Sequence, residues 1–158
     1  MSISKKVSKI QKRQQRPGMF TRIMLFGTFD LLHEGHKDFF RQARNLAPHP
    51  YLIVSVARDK NVEQVKGRKP LYSERQRLEF VRRTVLADCV VLGAVGDHLP
   101  HIKRQKPDII ALGYDQRGRY VVNLKNVLQQ GRVCARIVRL KPFKPKVYKS
   151  SKLKKAVL

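Results

Sequence analysis

Apolar runs of strand length alternate with helical patterns along most of the chain, and this alternation limits the fold more than any other feature. The strand candidates are Arg22–Phe26, Tyr51–Ala57, Cys89–Val95, Asp108–Leu112 and Ala135–Leu140. Strands that alternate with helices need crossover connections, which favour a parallel sheet covered on both faces. The sequence therefore predicts an α/β fold with helices on both faces of a parallel sheet.

The intervening segments carry helical signals. Phe39, Phe40, Ala43 and Leu46 form one apolar stripe, and Leu78, Val81 and Val85 form another. Ser73 and Gln76 have the spacing of a capping box, which predicts a helix start. Further helices are predicted at Leu99–Gln105 and Val121–Gln130. The continuous apolar run Cys89–Val95 predicts a strand buried on both sides.

The charge of the chain is strongly one-sided. Its 158 residues carry 35 Lys and Arg against 11 Asp and Glu, a formal charge of +24. Such a field attracts polyanions such as nucleotides or nucleic acid. Residues 1–18 are predicted to be a basic, disordered arm, residues 19–153 the folded domain, and residues 154–158 a basic tail. The two tails predict non-specific contact with nucleic acid.

Other features narrow the class of protein. Cys89 and Cys134 both lie in apolar strand-like runs, where a free thiol behaves as a small hydrophobe, and their spacing fits neither a disulfide framework nor a zinc site. No apolar run has the length of a membrane span, and no secretory signal is evident. A cytoplasmic location is expected, and a homodimer is left open.

The ten residues Gly27–His36, GTFDLLHEGH, follow the first predicted strand. Ligands in open α/β sheets bind beyond the carboxyl ends of the strands, where this loop lies. Gly27 permits a sharp turn and close backbone approach, and a helix beginning at residues 34–36 would direct N–H groups towards an anion. His33 and His36 would share one face of its first turn.

Two other interpretations of the histidines are open. A metal pair is disfavoured because the zinc motif H-E-x-x-H needs its second histidine at the position of Lys37. A histidine that only caps the helix is the stronger alternative.

The loop resembles the G-T-F-D-x-x-H-x-G-H signature of the cytidylyltransferase-like nucleotidyltransferases. Residues 52–81, Asp108–Gln116 and Tyr148–Leu153 are similar to archaeal-type FAD synthetases more than to glycerol-3-phosphate cytidylyltransferases. The resemblance covers Arg22 to Leu153. It implies a Rossmann-like fold of the HxGH nucleotidyltransferase type.

This resemblance implies transfer of a nucleotidyl group from a nucleoside triphosphate to a phosphate monoester, with release of pyrophosphate. His33 and His36 would be the catalytic pair that binds the α-phosphate and the bridging oxygen. A divalent cation, Mg²⁺ by expectation, would be carried on the triphosphate with no metal site in the protein. The implied nucleotide-binding residues are Gly27, Thr28, Phe29, His33, Glu34, Gly35, His36, Asp115, Ser150 and Ser151.

Five positions have a plainer alternative beside the functional one. Lys66, Arg68 and Lys69 form a basic loop that could close over phosphates or simply be solvated. Asp115 would reach a ribose hydroxyl or the base, or be a turn aspartate. Phe143 is a ring-stacking candidate or a core residue.

These observations give three hypotheses for the function, in order of preference. The first is an adenylyltransferase that makes FAD from FMN and ATP. The second is a cytidylyltransferase that uses CTP and glycerol 3-phosphate or a similar phosphorylated alcohol. The third, from another class, is a nucleic-acid-binding protein on a nucleotidyltransferase fold.

Overall fold

A computed structural model describes residues 20–144. The predicted arm, the predicted tail, Ser150 and Ser151 lie outside these residues. The described chain forms five strands, β1 (Thr21–Gly27), β2 (Pro50–Val56), β3 (Cys89–Leu92), β4 (Ile109–Leu112) and β5 (Arg136–Arg139). Its five helices are α1 (Glu34–Arg44), α2 (Asp59–Lys66), α3 (Glu74–Arg83), α4 (Leu99–Gln105) and α5 (Arg119–Gln130).

All strands of the sheet run parallel, in the order β3-β2-β1-β4-β5. This confirms the predicted parallel sheet. The chain first adds strands on one side of β1 and then on the other, so the strand order reverses between β1 and β4. A crevice opens at such a point beyond the carboxyl ends of the strands, and ligands of open α/β sheets bind there.

Two apolar layers cover the sheet, one on each face. On one face, Phe40 and Ala43 of α1 and Val81 of α3 pack against β1 and β2. On the other face, Ile102 of α4 and Leu124 of α5 belong to a cluster that includes residues of β4. Helices on both faces are therefore confirmed. None of the helices in residues 20–144 is long and apolar enough to cross a membrane.

The structure corrects several predictions. The strand at Cys89 ends at Leu92 and lies at the sheet edge, where only Val90 of its residues is buried, because β2 is its sole neighbour. Val85 lies beyond the end of α3, with φ of 57° and 86% exposure, so it is outside the apolar stripe. Cys134 precedes β5 and is exposed.

The structure confirms two of the helix predictions and changes the others. The capping box of Ser73 and Gln76 is present, and α4 has its predicted bounds. Helix α5 begins two residues earlier than predicted, at Arg119. Helix α2 was not predicted, because a single buried residue, Val62, leaves it almost no apolar stripe.

Two aspartates set the register at the amino ends of the strands. Asp108, just before β4, donates its backbone N–H to Arg22 O at 2.8 Å and accepts from Arg22 N at 2.8 Å through its carboxylate. Asp88, just before β3, forms the same pair of bonds with Leu52 of β2, at 2.9 and 2.7 Å. Each carboxylate extends a parallel ladder by one bond, which disfavours a slip of the neighbouring strand.

Replacement of Asp108 by alanine is therefore expected to lower the free energy of unfolding by about 1 kcal/mol, the usual worth of one hydrogen bond. Urea denaturation of the variant beside the wild type measures this difference. Glu63→Ala, at an exposed position of α2, is the control and should stay within about 0.5 kcal/mol. Equal stability of the two variants would contradict the role given to Asp108.

Candidate active site

The loop Gly27–His36 connects the carboxyl end of β1 to α1, at the mouth of the crevice. The loop that follows β4 meets it there, because Gln116 Nε2 donates to Phe26 O at 3.0 Å. Gln116 Oε1 also accepts from Gly113 N at 2.7 Å, which closes its own loop. Two of the three segments that contain predicted nucleotide-binding residues are therefore joined by one side chain.

His33 and His36 cap α1 reciprocally. His33 is the N-cap residue, and its Nδ1 accepts from Gly35 N at 3.1 Å. His36 Nδ1 accepts from His33 N at 3.3 Å, and the two rings stack with their centroids 3.8 Å apart. The predicted convergence on one face is confirmed. Capping, which sequence analysis treated as an alternative to a ligand-binding role, is the means by which the rings are brought together.

The capping bonds also fix the tautomer of each ring. A neutral imidazole has one acceptor and one donor nitrogen, and both Nδ1 atoms are acceptors here. Each ring therefore carries its proton on Nε2. Two adjacent Nε2–H groups can donate to the oxygens of a ligand.

Both histidines are neutral at pH 7. Burial, together with smaller electrostatic effects of the neighbouring His33 and Lys66, lowers the pKa of His36 to about 3. Burial also lowers the pKa of His33, against an opposing effect of Glu34. The pair therefore supplies hydrogen-bond donors rather than positive charge.

Phe29 supports His36 from the protein interior. Its side chain is 3% exposed, and its ring meets the rings of His36 and Phe40 edge to face at 5.3 and 5.4 Å. The residue has φ of 53°, a conformation that costs energy for a bulky side chain and persists only where packing enforces it. The core encloses this ring, so the side chain of Phe29, implied above as nucleotide-binding, is not available to contact a ligand.

Gly27 is needed for a different reason than the one inferred from sequence. A Cβ atom at this position would lie 2.5 Å from Phe29 Cζ, so a larger residue would displace the ring. Its backbone forms the last rung of β1 and has no positive φ. Gly27 therefore gives Phe29, and through it His36, the space to pack.

Lys66 is the cation of the predicted basic loop that reaches the site. It is the last residue of α2, which ends at Gly67 in the left-handed conformation with φ of 69°. Its Nζ lies 3.5 Å from Thr28 Oγ1. Arg68 and Lys69 follow in an exposed turn, and neither forms a hydrogen bond or ion pair within residues 20–144.

Sequence analysis missed two buried charged residues that fix the loop. Asp30 is 2% exposed, and its carboxylate accepts from Leu71 N at 2.8 Å and from Tyr72 N at 3.0 Å. The indication in the sequence was that Asp30 is itself part of the G-T-F-D signature. Asp30 therefore joins the loop after β1 to the segment that leads into α3.

Arg77 of α3 is the second missed residue, with 0% exposure. Its guanidinium donates to Thr28 O at 2.7 Å, Ala57 O at 2.8 Å and Tyr72 O at 3.0 Å. It also forms an ion pair with Asp59 at 2.6 Å. The signal was a cation four residues before Val81, on the apolar face of the helix. Arg77 connects the carboxyl ends of β1 and β2.

The remaining predicted residues lie at the periphery or outside the structure. Glu34 is exposed and forms an ion pair with Lys37 at 2.9 Å. Asp115 is exposed, and its carboxylate accepts no hydrogen bond from residues 20–144. Phe143 is half-buried, with Lys144 Nζ 5.5 Å from its ring centroid. Ser150 and Ser151 are not among the described residues.

The described residues contain no cluster of three His, Cys, Asp or Glu side chains that could hold a metal ion. The carboxylate within the loop, Asp30, accepts two backbone N–H groups.

Comparison with known proteins agrees with this geometry. The family model described as cytidylyltransferase-like matches residues 24–156, so the chain belongs to the cytidylyltransferase-like family. An FAD synthase of Methanosarcina barkeri is 47% identical over 120 residues, which cover 76% of this chain and 83% of that protein. An FAD synthase of Thermococcus sibiricus is 39% identical over 134 residues, 84% of this chain and 88% of that protein.

Solved structures support the same fold. A protein of Thermoplasma volcanium described as a lipopolysaccharide core biosynthesis protein superposes with a TM-score of 0.70 at 33% identity, covering 80% of this chain and 100% of that one. A protein of unknown function from Archaeoglobus fulgidus superposes with a TM-score of 0.56 at 20% identity, which shows the fold alone. The predicted Rossmann-like α/β class is confirmed.

Replacement of Arg77 by lysine should destabilise the protein by about 3–5 kcal/mol, because an ammonium group cannot reach the three carbonyls and the carboxylate that the planar guanidinium joins. Chemical denaturation measures the loss. Arg75→Lys, on the exposed side of the same helix, is the matched control and should cost less than about 0.5 kcal/mol. A similar small effect at both positions would rule out the proposed connection between the loops.

The depressed pKa of His36 predicts a loss of stability in acid. Below its ordinary pKa of 6.5 the unfolded chain takes up a proton that the folded chain refuses down to a pH of about 3. The free energy of unfolding should therefore fall between pH 6.5 and pH 4.5 by about 2 kcal/mol more in the wild type than in His36→Gln. Glutamine keeps the side-chain acceptor that the cap needs and does not titrate. Parallel curves for the two proteins would contradict burial of a neutral His36.

Proposed function

We propose that the protein is an FMN adenylyltransferase, which forms FAD and pyrophosphate from FMN and ATP. The observation that carries the proposal is the stacked, reciprocally capped pair His33 and His36 at the crevice between β1 and β4. The pair supports nucleotidyl transfer as the reaction type. The similarity to FAD synthases supports FMN and ATP as the substrates.

In the proposed reaction a phosphate oxygen of FMN attacks the α-phosphorus of ATP. The bond from that phosphorus to the oxygen that bridges to the β-phosphate breaks, and pyrophosphate leaves. A phosphate monoester is already anionic near pH 7, so no protein group has to remove a proton. Catalysis then depends on positioning the two phosphates and stabilising the charge that develops on the transferred group.

The two Nε2–H groups are suited to that second task. Their Nδ1 atoms are held by backbone N–H groups of the same helix start, so the rings are oriented before substrate binds. Donors fixed in advance need little reorganisation during the reaction. The N-terminus of α1 adds the positive end of a helix dipole to the same place.

Positive charge would come from other groups. Lys66 lies beside Thr28 and would contact the β- and γ-phosphates, with Arg68 and Lys69 as further candidates in the adjoining turn. Divalent cation, expected to be Mg²⁺, would be held by phosphate oxygens and water and would offset the charge of the triphosphate. Ser150 and Ser151 would bind phosphate as the resemblance implies.

The loop after β4 would hold the nucleoside. Asp115 has an exposed carboxylate at the carboxyl end of that strand, in reach of a ribose hydroxyl or a base. Half-buried Tyr114 in the same loop and Phe143 are the aromatic groups proposed to contact a ring system, now that Phe29 is excluded. Stacking against such groups is favourable for a planar ligand.

A substrate competition tests the proposal. Purified protein with Mg²⁺ is given ATP or CTP together with FMN or glycerol 3-phosphate, and FAD and pyrophosphate are measured by chromatography and a coupled assay. We expect ATP and FMN to give FAD, and CTP with glycerol 3-phosphate to give little product. His36→Ala should lose about a hundredfold or more in turnover, the cost of one transition-state donor, while it stays folded.

Preference for CTP and glycerol 3-phosphate would assign the protein to the cytidylyltransferase reaction and leave the role of the histidine pair unchanged. Near-normal turnover of folded His36→Ala would refute that role whichever substrates are used.

A further inference from the structure

Within residues 20–144, three of the four pairs of neighbouring strands end in the same way at the carboxyl edge of the sheet. In each of these pairs, the residue that follows one strand donates its backbone N–H to the last carbonyl of its neighbour. Each bond is 2.8 Å long, and the donors and acceptors are Ala57 and Gly27, Gly93 and Val56, and Leu140 and Leu112. These bonds extend each parallel ladder by one rung, so the strands stay together up to their ends.

The pair β1 and β4 is the exception. Its ladder ends at Leu25 and Ala111, and the next rung of the same pattern would join Gly113 N to Phe26 O. Instead, the side-chain amide of Gln116 lies between these two groups. Its Oε1 accepts from Gly113 N at 2.7 Å, and its Nε2 donates to Phe26 O at 3.0 Å. One side-chain amide therefore replaces a direct backbone bond and holds the ends of the two strands apart.

Arg139, the last residue of β5, fixes the turn that carries Gln116. Its Nη1 donates to Gly113 O at 3.0 Å and to Gln116 O at 2.6 Å, so it binds the backbone at both ends of the turn. Gln116 N also donates to Gly113 O, at 3.2 Å. Because the amide oxygen of Gln116 faces a donor and its nitrogen faces an acceptor, the orientation of the side chain is fixed as well as its position.

The separation of β1 from β4 occurs where the strand order reverses, and open α/β sheets bind their ligands at this point. The loop with the two histidines leaves β1, and the loop with Tyr114 and Asp115 leaves β4. Without the amide of Gln116, the freed backbone groups would either bond directly, which would draw the two loops together, or lose a partner at half-buried positions, which is costly. The width of the crevice therefore depends on this side chain.

We propose that Gln116 is a positioning residue that holds the crevice open for the nucleoside of the nucleoside triphosphate. The proposal rests on the nucleotidyl transfer proposed above. The nucleoside lies against the loop after β4, whose distance from β1 is set by Gln116. The triphosphate contacts groups on other elements, the histidine pair of α1 and Lys66 of α2. Loss of the Gln116 amide therefore weakens binding of the nucleoside and spares binding of the phosphates.

Four full-length proteins test this proposal: the wild type, Gln116→Ala, Gln116→Glu and the matched control Gln130→Ala. Gln130 is exposed at the end of α5, and its side chain forms no hydrogen bond within residues 20–144. Urea denaturation shows whether each variant is folded.

Isothermal titration calorimetry with Mg²⁺ gives the dissociation constants of three ligands: α,β-methylene-ATP, α,β-methylene-CTP and tripolyphosphate. The methylene group prevents cleavage between the α- and β-phosphates, so binding is measured without reaction. Tripolyphosphate carries the phosphates without a nucleoside. FAD formation from ATP and FMN is measured on the same preparations.

Gln116→Ala should bind the preferred nucleotide analogue about tenfold or more weakly than the wild type, because it loses two hydrogen bonds and the open crevice is populated less. Gln116→Glu keeps the acceptor for Gly113 N but loses the donor to Phe26 O, so its affinity should fall by about fivefold or more. Affinity for tripolyphosphate should change by less than about threefold in both variants, since salt screens the added charge of Glu. Gln130→Ala should stay within about twofold of the wild type for every ligand.

Equal losses for the nucleotide analogue and for tripolyphosphate in Gln116→Ala would overturn the proposal, because the residue would then act on the whole site. Wild-type nucleotide affinity in either Gln116 variant would overturn it too, as would a wild-type protein that binds neither nucleotide. The assay of FAD formation decides the proposed function separately. Tighter binding of the CTP analogue without FAD formation would contradict FMN adenylyl transfer, while the ratio of affinities would still decide the role of Gln116.

Discussion

The reciprocal capping of α1 by His33 and His36 is the interaction on which the proposed chemistry depends. One pair of bonds, Gly35 N to His33 Nδ1 and His33 N to His36 Nδ1, satisfies two backbone donors at the helix start. The same bonds orient both rings and leave their protons on Nε2. The same two side chains thus cap the helix through Nδ1 and present Nε2–H groups to the proposed phosphate site.

The cap in turn is held by side chains that bind loop backbones. Phe29 packs against His36, Asp30 binds the segment before α3, and Arg77 joins Thr28 to Ala57. A hydrogen bond left unmade at a buried group costs more than a formed one contributes, so these contacts favour one arrangement of the loops. Gln116 extends the connection to the loop after β4. The carboxyl edge of the sheet is therefore a linked set of loops.

The sequence predicted the main strands in their sequence along the chain and the helices on both faces of a parallel sheet, because apolar periodicity reports local burial directly. The sequence did not predict burial correctly where it depends on residues that are distant along the chain. Cys89–Val95 has the composition of a central strand, but its place at the edge is decided by topology. In the sequence Arg77 is one of many cations. Only the folded structure shows that the carbonyls of Thr28, Ala57 and Tyr72 surround its guanidinium. Phe29 lies in a loop, and its sequence position does not show that its ring is buried in the space left by Gly27.

In the proposed site the hydrogen-bond donors, His33 and His36, and the positive charge, on residues such as Lys66, belong to different side chains. A cationic pair of histidines would attract phosphate in every state of the reaction, product included, whereas neutral Nε2–H groups respond to charge as it develops. Interactions that strengthen towards the transition state raise the rate, and those equal in all states do not. In the proposed reaction, attraction of the triphosphate would therefore fall to groups such as Lys66 at the rim of the site. Substrate binding and catalysis would then depend on different residues, because burial keeps His36 neutral even in a chain this basic.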